Sequence, residues 1–262
     1  KSKELTAQAG ELIHAHAALL VPEPEYQEML ISFLAFMVQH PGVKIRWCIL
    51  CQAVEGNGKG LWDNHISIAL GKEHNKKVGP ESVYTNYNEW MVGTQHITLN
   101  EIHSKGRSRY ELEDKVKEFV ADDTLSITEK FRGQRQEMNT TNCTMFTNYR
   151  DALAISKGSR RYCVFASHLQ TKEQVAEVAE TGIFQRIADF QRDHPGAIRA
   201  FFEQFEIPKT FDPDGHAIVT KYQHQMQKAT MPELDMTIEQ LIEDGDHPLI
   251  QADLISSSAL LT

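Results

Sequence analysis

A lysine set among glycines, an acid closing an apolar run, an asparagine closing another, and a pair of arginines are the residues whose types and spacing could do chemistry. The segment Gln52-Ala-Val-Glu-Gly56-Asn-Gly58-Lys59-Gly60 lies between an apolar run and a helix-forming one. A strand running in and a helix running out is the context a phosphate loop requires. Successive backbone N–H groups then form a nest, and the helix N-terminus adds partial positive charge. Gly56, Asn57, Gly58, Lys59, Gly60 and Leu61 are the candidate nucleotide-binding residues, with Lys59 reaching the β- and γ-phosphates as a point charge. Against the pattern G-x-x-x-x-G-K-[ST], Ala53 replaces the first glycine and Gly60 the hydroxyl residue. The second change removes one Mg²⁺ ligand and leaves the nest intact. About forty residues further on, Ile97-Thr98-Leu99-Asn100-Glu101 is an apolar strand with an acid at its end. Glu101 fits a carboxylate that polarises an attacking water; Asn100 stands where an aspartate would support the metal shell. Asn100 and Glu101 are thus the candidate indirect Mg²⁺ supports. Asn148 ends Thr144-Met-Phe-Thr147 and fits a sensor of the γ-phosphate, and Arg160 and Arg161 lead into the next strand. An arginine entering a neighbour's nucleotide site supplies transition-state charge worth on the order of 10³–10⁵ in rate. Each feature alone also reads blandly, as a glycine-rich turn, a surface acid or a solvated charge. Their order along the chain, each at a strand terminus, argues for the shared chemistry.

These residues need strands to hold them. Helix formers fill residues 4–20, and Pro22 and Pro24 break the chain after them. Residues 26–39 are apolar on most sides, which predicts a buried helix ended by Pro41-Gly42. Strand patterns follow at 44–51, 95–101, 143–147 and 161–166, with a helix opening out of the loop through about residue 70 and another at 107–120. Residues 124–130 and 134–139 flank Gly133 as a β-hairpin. From residue 171 the spacing of Val175, Val178, Phe184, Ile187 and Phe190 is helical. Strands alternating with helices before an all-helical end predict an α/β fold: a P-loop core sheet flanked by helices, with N-terminal helices and a helical C-terminal region. The expected division is 1–42 N-terminal helices, 43–168 ATPase core, 169–230 helices packed on the core, and 231–262 an acidic extension.

Composition narrows the class. The chain has 262 residues, 41% hydrophobic and 24% charged, enough for one large or two small packed domains. No apolar run approaches the ~20 residues of a membrane span. The first residue, Lys1, is followed by no signal-like stretch, so a domain cut from a longer chain in the cytoplasm is expected. Cys48, Cys51, Cys143 and Cys163 suggest a reducing compartment. Cys48 and Cys51 form a C-x-x-C, but in a buried strand their side chains point to opposite faces, and no second ligand pair follows. They read as small buried hydrophobes. His14 and His16 do not share a helix face and are expected to do nothing notable.

The ordered motifs resemble the carboxyl-terminal helicase domain of phage and plasmid primase-helicases, within the superfamily 3 helicases of the AAA+ class. The resemblance runs from Gln39-His-Pro-Gly-Val-Lys44 through Arg160-Arg161-Tyr162-Cys-Val-Phe165 and includes Ile207-Pro208-Lys-Thr210, roughly two-thirds of the chain. It implies a homo-oligomeric, hexameric ring that hydrolyses ATP with Mg²⁺ at subunit interfaces and draws single-stranded DNA through a pore. A primase domain or replication partner would precede this fragment, and a phage-encoded protein would work in the host-cell cytoplasm. By that resemblance Gly58, Lys59 and Gly60 hold the phosphates, Glu101 activates water, Asn148 is the sensor, and Arg161 or Arg160 is a finger acting in trans. The family's basic pore hairpin matches Glu129-Lys130-Phe131-Arg132-Gly133-Gln134-Arg135, making Lys130, Arg132 and Arg135 the candidate DNA contacts. Lys130 and Arg132 share a face of an extended arm; Phe131 points away. Gly60 and Asn100 depart from the family pattern, and both departures weaken Mg²⁺ support.

Three readings follow: a replicative DNA helicase motor, an AAA+ remodeller or helicase loader, and a nucleotide-binding ring scaffold with little turnover. The basic residues 130, 132 and 135 favour the first, because a protein remodeller more often carries apolar pore residues. A net charge of −9 argues against a wholly nucleic-acid-binding surface. Yet residues 231–262 hold seven acids and no Lys or Arg, while residues 130–161 hold seven basic residues against Glu137 and Asp151. The acidity is mostly a tail, and the candidate pore and interface are locally basic.

Overall fold

A computed structural model describes residues 2–85, 88–102, 108–129, 133–231, 235–237, 242, 250–251 and 254–255. Two helices come first, α1 (Ser2–Leu20) and α2 (Pro24–Gln39). Then follow β1 (Cys48–Gln52), α3 (Lys59–Leu70), β2 (Asn75–Val78), a short α4 (Pro80–Tyr84), a 3-10 turn (Glu89–Met91) and β3 (His96–Leu99). Next come α5 (Ser108–Ala121), β4 (Thr124–Glu129), β5 (Gly133–Met138), β6 (Asn142–Thr147) and β7 (Tyr162–Ala166). Helices α6 (Lys172–Glu180), α7 (Ile183–Asp193), α8 (Pro195–Gln204) and α9 (Lys221–Thr230) follow. Ile250–Gln251 and Leu254–Ile255 form a small antiparallel pair. Strands β2, β3, β6, β1 and β7 lie in that order in one parallel sheet, and β4–β5 is a separate antiparallel hairpin. The expected α/β class, a strand sheet flanked by helices, is the fold observed.

Alternation along the central strand divides the interior into two cores. Ile49 and Cys51 face α1, α2, α3 and α8, and pack with Ile13, Leu34, Trp62, Phe165 and Phe202. Cys48 and Leu50 face the other way, against Leu112 and Val116 of α5 and Met226 of α9. The C-x-x-C is therefore split between two cores, as its strand spacing predicts, and all four thiols are free and buried. Among the described residues no group of three His, Cys, Asp or Glu could hold a metal ion, and no helix is long and apolar enough to cross a membrane.

The first predicted strand begins four residues late. Ile45 N–H donates to the Asn142 side-chain oxygen at 2.7 Å and Arg46 N–H to the Pro213 carbonyl at 2.7 Å, so this stretch bonds outside the ladder. Residues 71–94, which carry no clear periodicity, contain β2, α4 and the 3-10 turn. β2 is short and polar but is fixed by a buried network. Asp63 of α3, its side chain 2% exposed, meets Lys77 Nζ at 2.6 Å and accepts from Thr98 Oγ1 at 2.5 Å and Asn75 Nδ2 at 3.2 Å. Asn75 Nδ2 also donates to Ser67 Oγ, so its Oδ1 is left to accept from His96 Nδ1 at 2.9 Å. The other ring nitrogen of His96 then accepts from the Thr144 hydroxyl at 2.9 Å. One proton arrangement satisfies the whole set, and it ties the helix after the glycine-rich loop to β2, β3 and β6.

Candidate active site

The carboxyl ends of β1, β3 and β6 meet at one edge of the sheet, where ligands of open α/β sheets bind. Three stretches converge there: the loop 53–58, the turn at Asn100 and Glu101, and Asn148. Gly56 and Gly58 take φ of +85° and +99°, a region side chains disfavour. Gly58 sits at the N-terminal boundary of α3, and its carbonyl accepts from the N–H groups of Leu61 and Trp62. A Cβ on Gly58 would meet His16 Nε2 at 2.9 Å and Phe184 at 3.1 Å; one on Gly56 would meet Val175 at 3.2 Å. The loop is thus backed by α1, α6 and α7, and its turns leave no room for a side chain.

Lys59 begins α3 and folds back over the loop. Its ammonium donates to the carbonyls of Ala53 (2.5 Å) and Val54 (2.8 Å), to Asn57 Oδ1 (3.3 Å) and to Asn148 Oδ1 (2.8 Å). None of these acceptors carries a charge, and among the described residues Lys59 makes no ion pair. Burial pushes its pKa down. A half-buried cation with no ion-pair partner among the described residues is a natural partner for an anion. The loop supplies donors as well: Asn57 Nδ2 is buried without an acceptor, and among the described residues nothing accepts from the N–H groups of Glu55, Gly56, Gly58 or Gly60. These residues fit a polyphosphate. No side chain crowds Gly60, where a Cβ would find nothing within 4 Å.

Glu101 follows β3 with φ +56°, and among the described residues it is the sole non-glycine residue at positive φ. Holding it there costs on the order of 1–3 kcal/mol, and the conformation persists only because the surroundings enforce it. They do so through the next residue: Ile102 N–H donates to the Phe146 carbonyl at 3.2 Å, and the Ile102 carbonyl accepts from Thr147 Oγ1 at 2.6 Å. The turn leaves the Glu101 side chain exposed beside the end of β6, and Asn100 is partly buried. Lys59 and Asn148, 89 residues apart, are therefore in direct contact, and Glu101 lies one strand away.

Arg160 and Arg161 are elsewhere. They precede β7, which runs parallel to β1, so they stand at the amino edge of the sheet, opposite the glycine-rich loop. Arg160 Nη1 donates to His216 Nε2 at 3.0 Å, and the Arg161 carbonyl accepts from Cys48 N–H. Neither reaches the Lys59 loop of its own chain. Lys130 and Arg132 lie outside the described residues. Arg135, on β5, pairs with Glu137 Oε1 at 2.7 Å.

His16 is the correction to the sequence reading. It is fully buried, and its Nε2 donates to the Gly58 carbonyl at 3.1 Å. His65 of α3 stands 5.2 Å away, ring centroid to centroid, with Trp62 beside both. Burial lowers the His16 pKa to about 4 and holds that of His65 well below the ordinary imidazole value. His14 instead packs on Phe201. Forty-two residues separate His16 from Gly58, and only the packing of α1 on α3 brings them together.

Residues 52–161, from the end of β1 to the start of β7, match a family described as one of unknown function, DUF5906. A stretch of 148 residues is 23% identical to the DNA primase-polymerase of Nitratiruptor phage NrS-1, covering 56% of this chain and 20% of that protein. Two apo structures of the C-terminal region of NrS-1 share the fold. One is 19% identical with a TM-score of 0.74, covering 90% of this chain and 55% of the other; the second is 17% identical with a TM-score of 0.72, covering 95% and 60%. The chain thus spans about a fifth of that relative and rather more than half of its solved C-terminal region.

Proposed function

We propose that this chain is an ATP-driven DNA helicase motor of the superfamily 3 type, working in phage replication as a ring on single-stranded DNA. The observation that carries the reading is the contact of Lys59 with Asn148 across the β1–β6 crossover, beside the strained turn at Glu101. Similarity to a phage DNA primase-polymerase supports a place in replication, with a primase or polymerase as partner. When bound, Mg²⁺–ATP supplies a phosphoryl group for transfer to water. Lys59 trades its carbonyl partners for phosphate oxygens, and the free N–H groups of the loop cradle the chain of phosphates. Asn148, already on the ammonium, follows it to the terminal phosphate. Glu101 accepts the proton of the attacking water at its carboxylate. Gly60 and Asn100 would offer a bound Mg²⁺ no hydroxyl or carboxylate ligand, leaving Glu101 as the acidic side chain that would support it there. An arginine from a neighbour, Arg160 or Arg161, completes the charge. Lys130, Arg132 and Arg135 are the proposed DNA contacts.

The two weakened Mg²⁺ positions favour one second reading, a ring scaffold with little turnover. Hydrolysis of ATP with and without single-stranded DNA, on protein sized by light scattering, separates the two. DNA-stimulated turnover abolished by Lys59→Ala supports the motor; an assembled ring that binds ATP without turnover supports the scaffold. Turnover that survives Lys59→Ala removes the loop assignment itself.

A further inference from the structure

Beside the Lys59 loop, on the outer side of β7, lies a cavity of about 410 Å³. Its apolar wall is formed by Val164, Ala166, Tyr222 and Met226, and Arg150 stands at its mouth. Three facts tie it to the phosphate loop and give it a polar edge. First, β7 is an edge strand, and Cys163 and Phe165 turn their backbone groups toward β1, since Cys48 N–H bonds the Arg161 carbonyl and Ser167 N–H the Gln52 carbonyl. The alternate residues point outward. Of these, the Arg160 carbonyl is taken by Ala217 N–H and the Val164 carbonyl by Thr220 Oγ1. Ala166, at the cavity, has neither its N–H nor its carbonyl taken among the described residues. Second, Gln52 and Gln170 form a reciprocal amide pair on the cavity wall, at 3.3 and 3.0 Å. Each amide nitrogen is aimed by a carbonyl: Gln52 Nε2 by Asn148 at 3.4 Å, and Gln170 Nε2 by Ser167 at 2.6 Å. Arg150 Nη2 uses the remaining lone pair of Gln170 Oε1, at 3.3 Å. Gln52 Oε1 therefore keeps one lone pair to offer. Third, Gln52 and Lys59 hold the same residue, Asn148, by its carbonyl and its side-chain oxygen respectively.

A cavity with an apolar wall and an adjacent main-chain donor and acceptor suits a heterocycle that carries its own donor–acceptor edge. We propose that this cavity takes the base of a nucleoside triphosphate whose phosphates lie on the Lys59 loop, with Ala166 and Gln52 reading the base edge and Arg150 closing over its face. The inference rests on the proposed phosphate site but concerns a separate set of residues, and it makes β7, Gln52 and Arg150 determinants of base selection. The fixed orientation of the amide pair leaves an acceptor on Gln52 and favours a base bearing an exocyclic amino group.

Calorimetric titration of the full chain with ATP and with inorganic tripolyphosphate, in Mg²⁺, tests it. ATP is expected to bind at least about tenfold more tightly than tripolyphosphate. Ala229→Trp, a rim change on the exposed side of α9, and Gln170→Ala should each erase most of that difference and leave tripolyphosphate binding unchanged. Equal affinity of the two ligands in the unaltered chain overturns the base site, as does an ATP affinity that both variants leave untouched. Failure of tripolyphosphate to bind, or binding indifferent to Lys59→Ala, overturns instead the phosphate reading on which it rests.

Discussion

The two edges of the central sheet differ in where strain and open hydrogen-bonding groups collect. At the carboxyl edge, among the described residues, a lysine makes no ion pair, a glutamate is held at φ +56°, and an amide nitrogen lacks an acceptor. At the amino edge Arg46 is paired with two acids, while Lys44, partly buried beside β1, has only the Thr141 carbonyl among the described residues. Arg46 bonds Asp123 at 2.6 Å, Asp214 at 3.1 Å and the Ala121 carbonyl at 3.1 Å, while Arg160 is held by His216 at 3.0 Å. Unpaired groups and strain persist only where the surrounding fold enforces them, and such places are where function gathers. The contrast supports placing the proposed ligand at the carboxyl edge.

The sharpest way to break this contrast is to remove the carboxyl-edge groups. Lys59→Ala and Glu101→Gln are each expected to lower ATP turnover by about 10²–10³. Lys59→Ala should also lose nucleotide affinity, and Glu101→Gln should keep it. If the two behave alike in binding, the roles are misassigned. Glu101→Gly should cut turnover as deeply, yet raise stability to urea by about 1 kcal/mol, because glycine accepts the positive φ without strain. A destabilised Glu101→Gly would show that the turn is not strained. Arg160→Ala and Arg161→Ala at the amino edge should leave the nucleotide affinity of isolated subunits alone and reduce turnover only in an assembled ring.

Next in size is the backing of the loop. Gly58→Ala forces a Cβ into positive φ and within 2.9 Å of His16 Nε2, so a loss of about 1–3 kcal/mol is expected in denaturant unfolding. Gly60→Ser, two residues on, meets nothing within 4 Å and should be close to neutral in the same assay. It should also sharpen the Mg²⁺ dependence of turnover by restoring the hydroxyl ligand. A neutral Gly58→Ala would mean that the helices do not clamp the loop.

How much of this was legible follows from range. The glycines and Lys59 are contiguous, so the loop shows itself in nine residues. Glu101 and Asn148 were readable because each ends an apolar run, and parallel strands deliver such ends to one edge. Cys48 and Cys51 were readable as opposite-facing from period-two spacing alone. His16 was not, because its meaning depends on how α1 lies across α3, which no local pattern encodes. Nor was β2, whose Asn75, Lys76 and Lys77 look like a loop; Asp63 and His96, far off in sequence, supply the partners that make it a strand. The proposed trans role of Arg160 or Arg161 concerns a surface that a single chain does not complete.

A smaller effect distinguishes the edges by pH. Burial holds the His16 and His96 pKa values at about 4 and pushes that of His65 well down, against 6.5 for an exposed ring. The unfolded chain takes up these protons first, so the stability of the neutral rings is fully present above about pH 6.5 and is lost as the pH falls toward 4. His16 and His65 lie on α1 and α3, the elements that back and follow the glycine-rich loop, whereas His96 opens β3 at the amino edge. Through His16 and His65 acid should therefore loosen the loop side of the molecule, while Arg46 at the amino edge is indifferent over that range. His65 has both ring nitrogens buried without partners, so His65→Leu removes a proton acceptor and leaves no donor stranded. Urea unfolding at pH 7 and pH 5 is expected to show a smaller loss on acidification for His65→Leu than for the unaltered chain, by roughly one proton's worth of slope. Arg46→Ala should instead shift both curves equally, by about 1 kcal/mol or less, and more at low salt than at high. An Arg46→Ala effect that grows on acidification, or a His65→Leu chain as acid-sensitive as its parent, would place the titrating groups at the other edge.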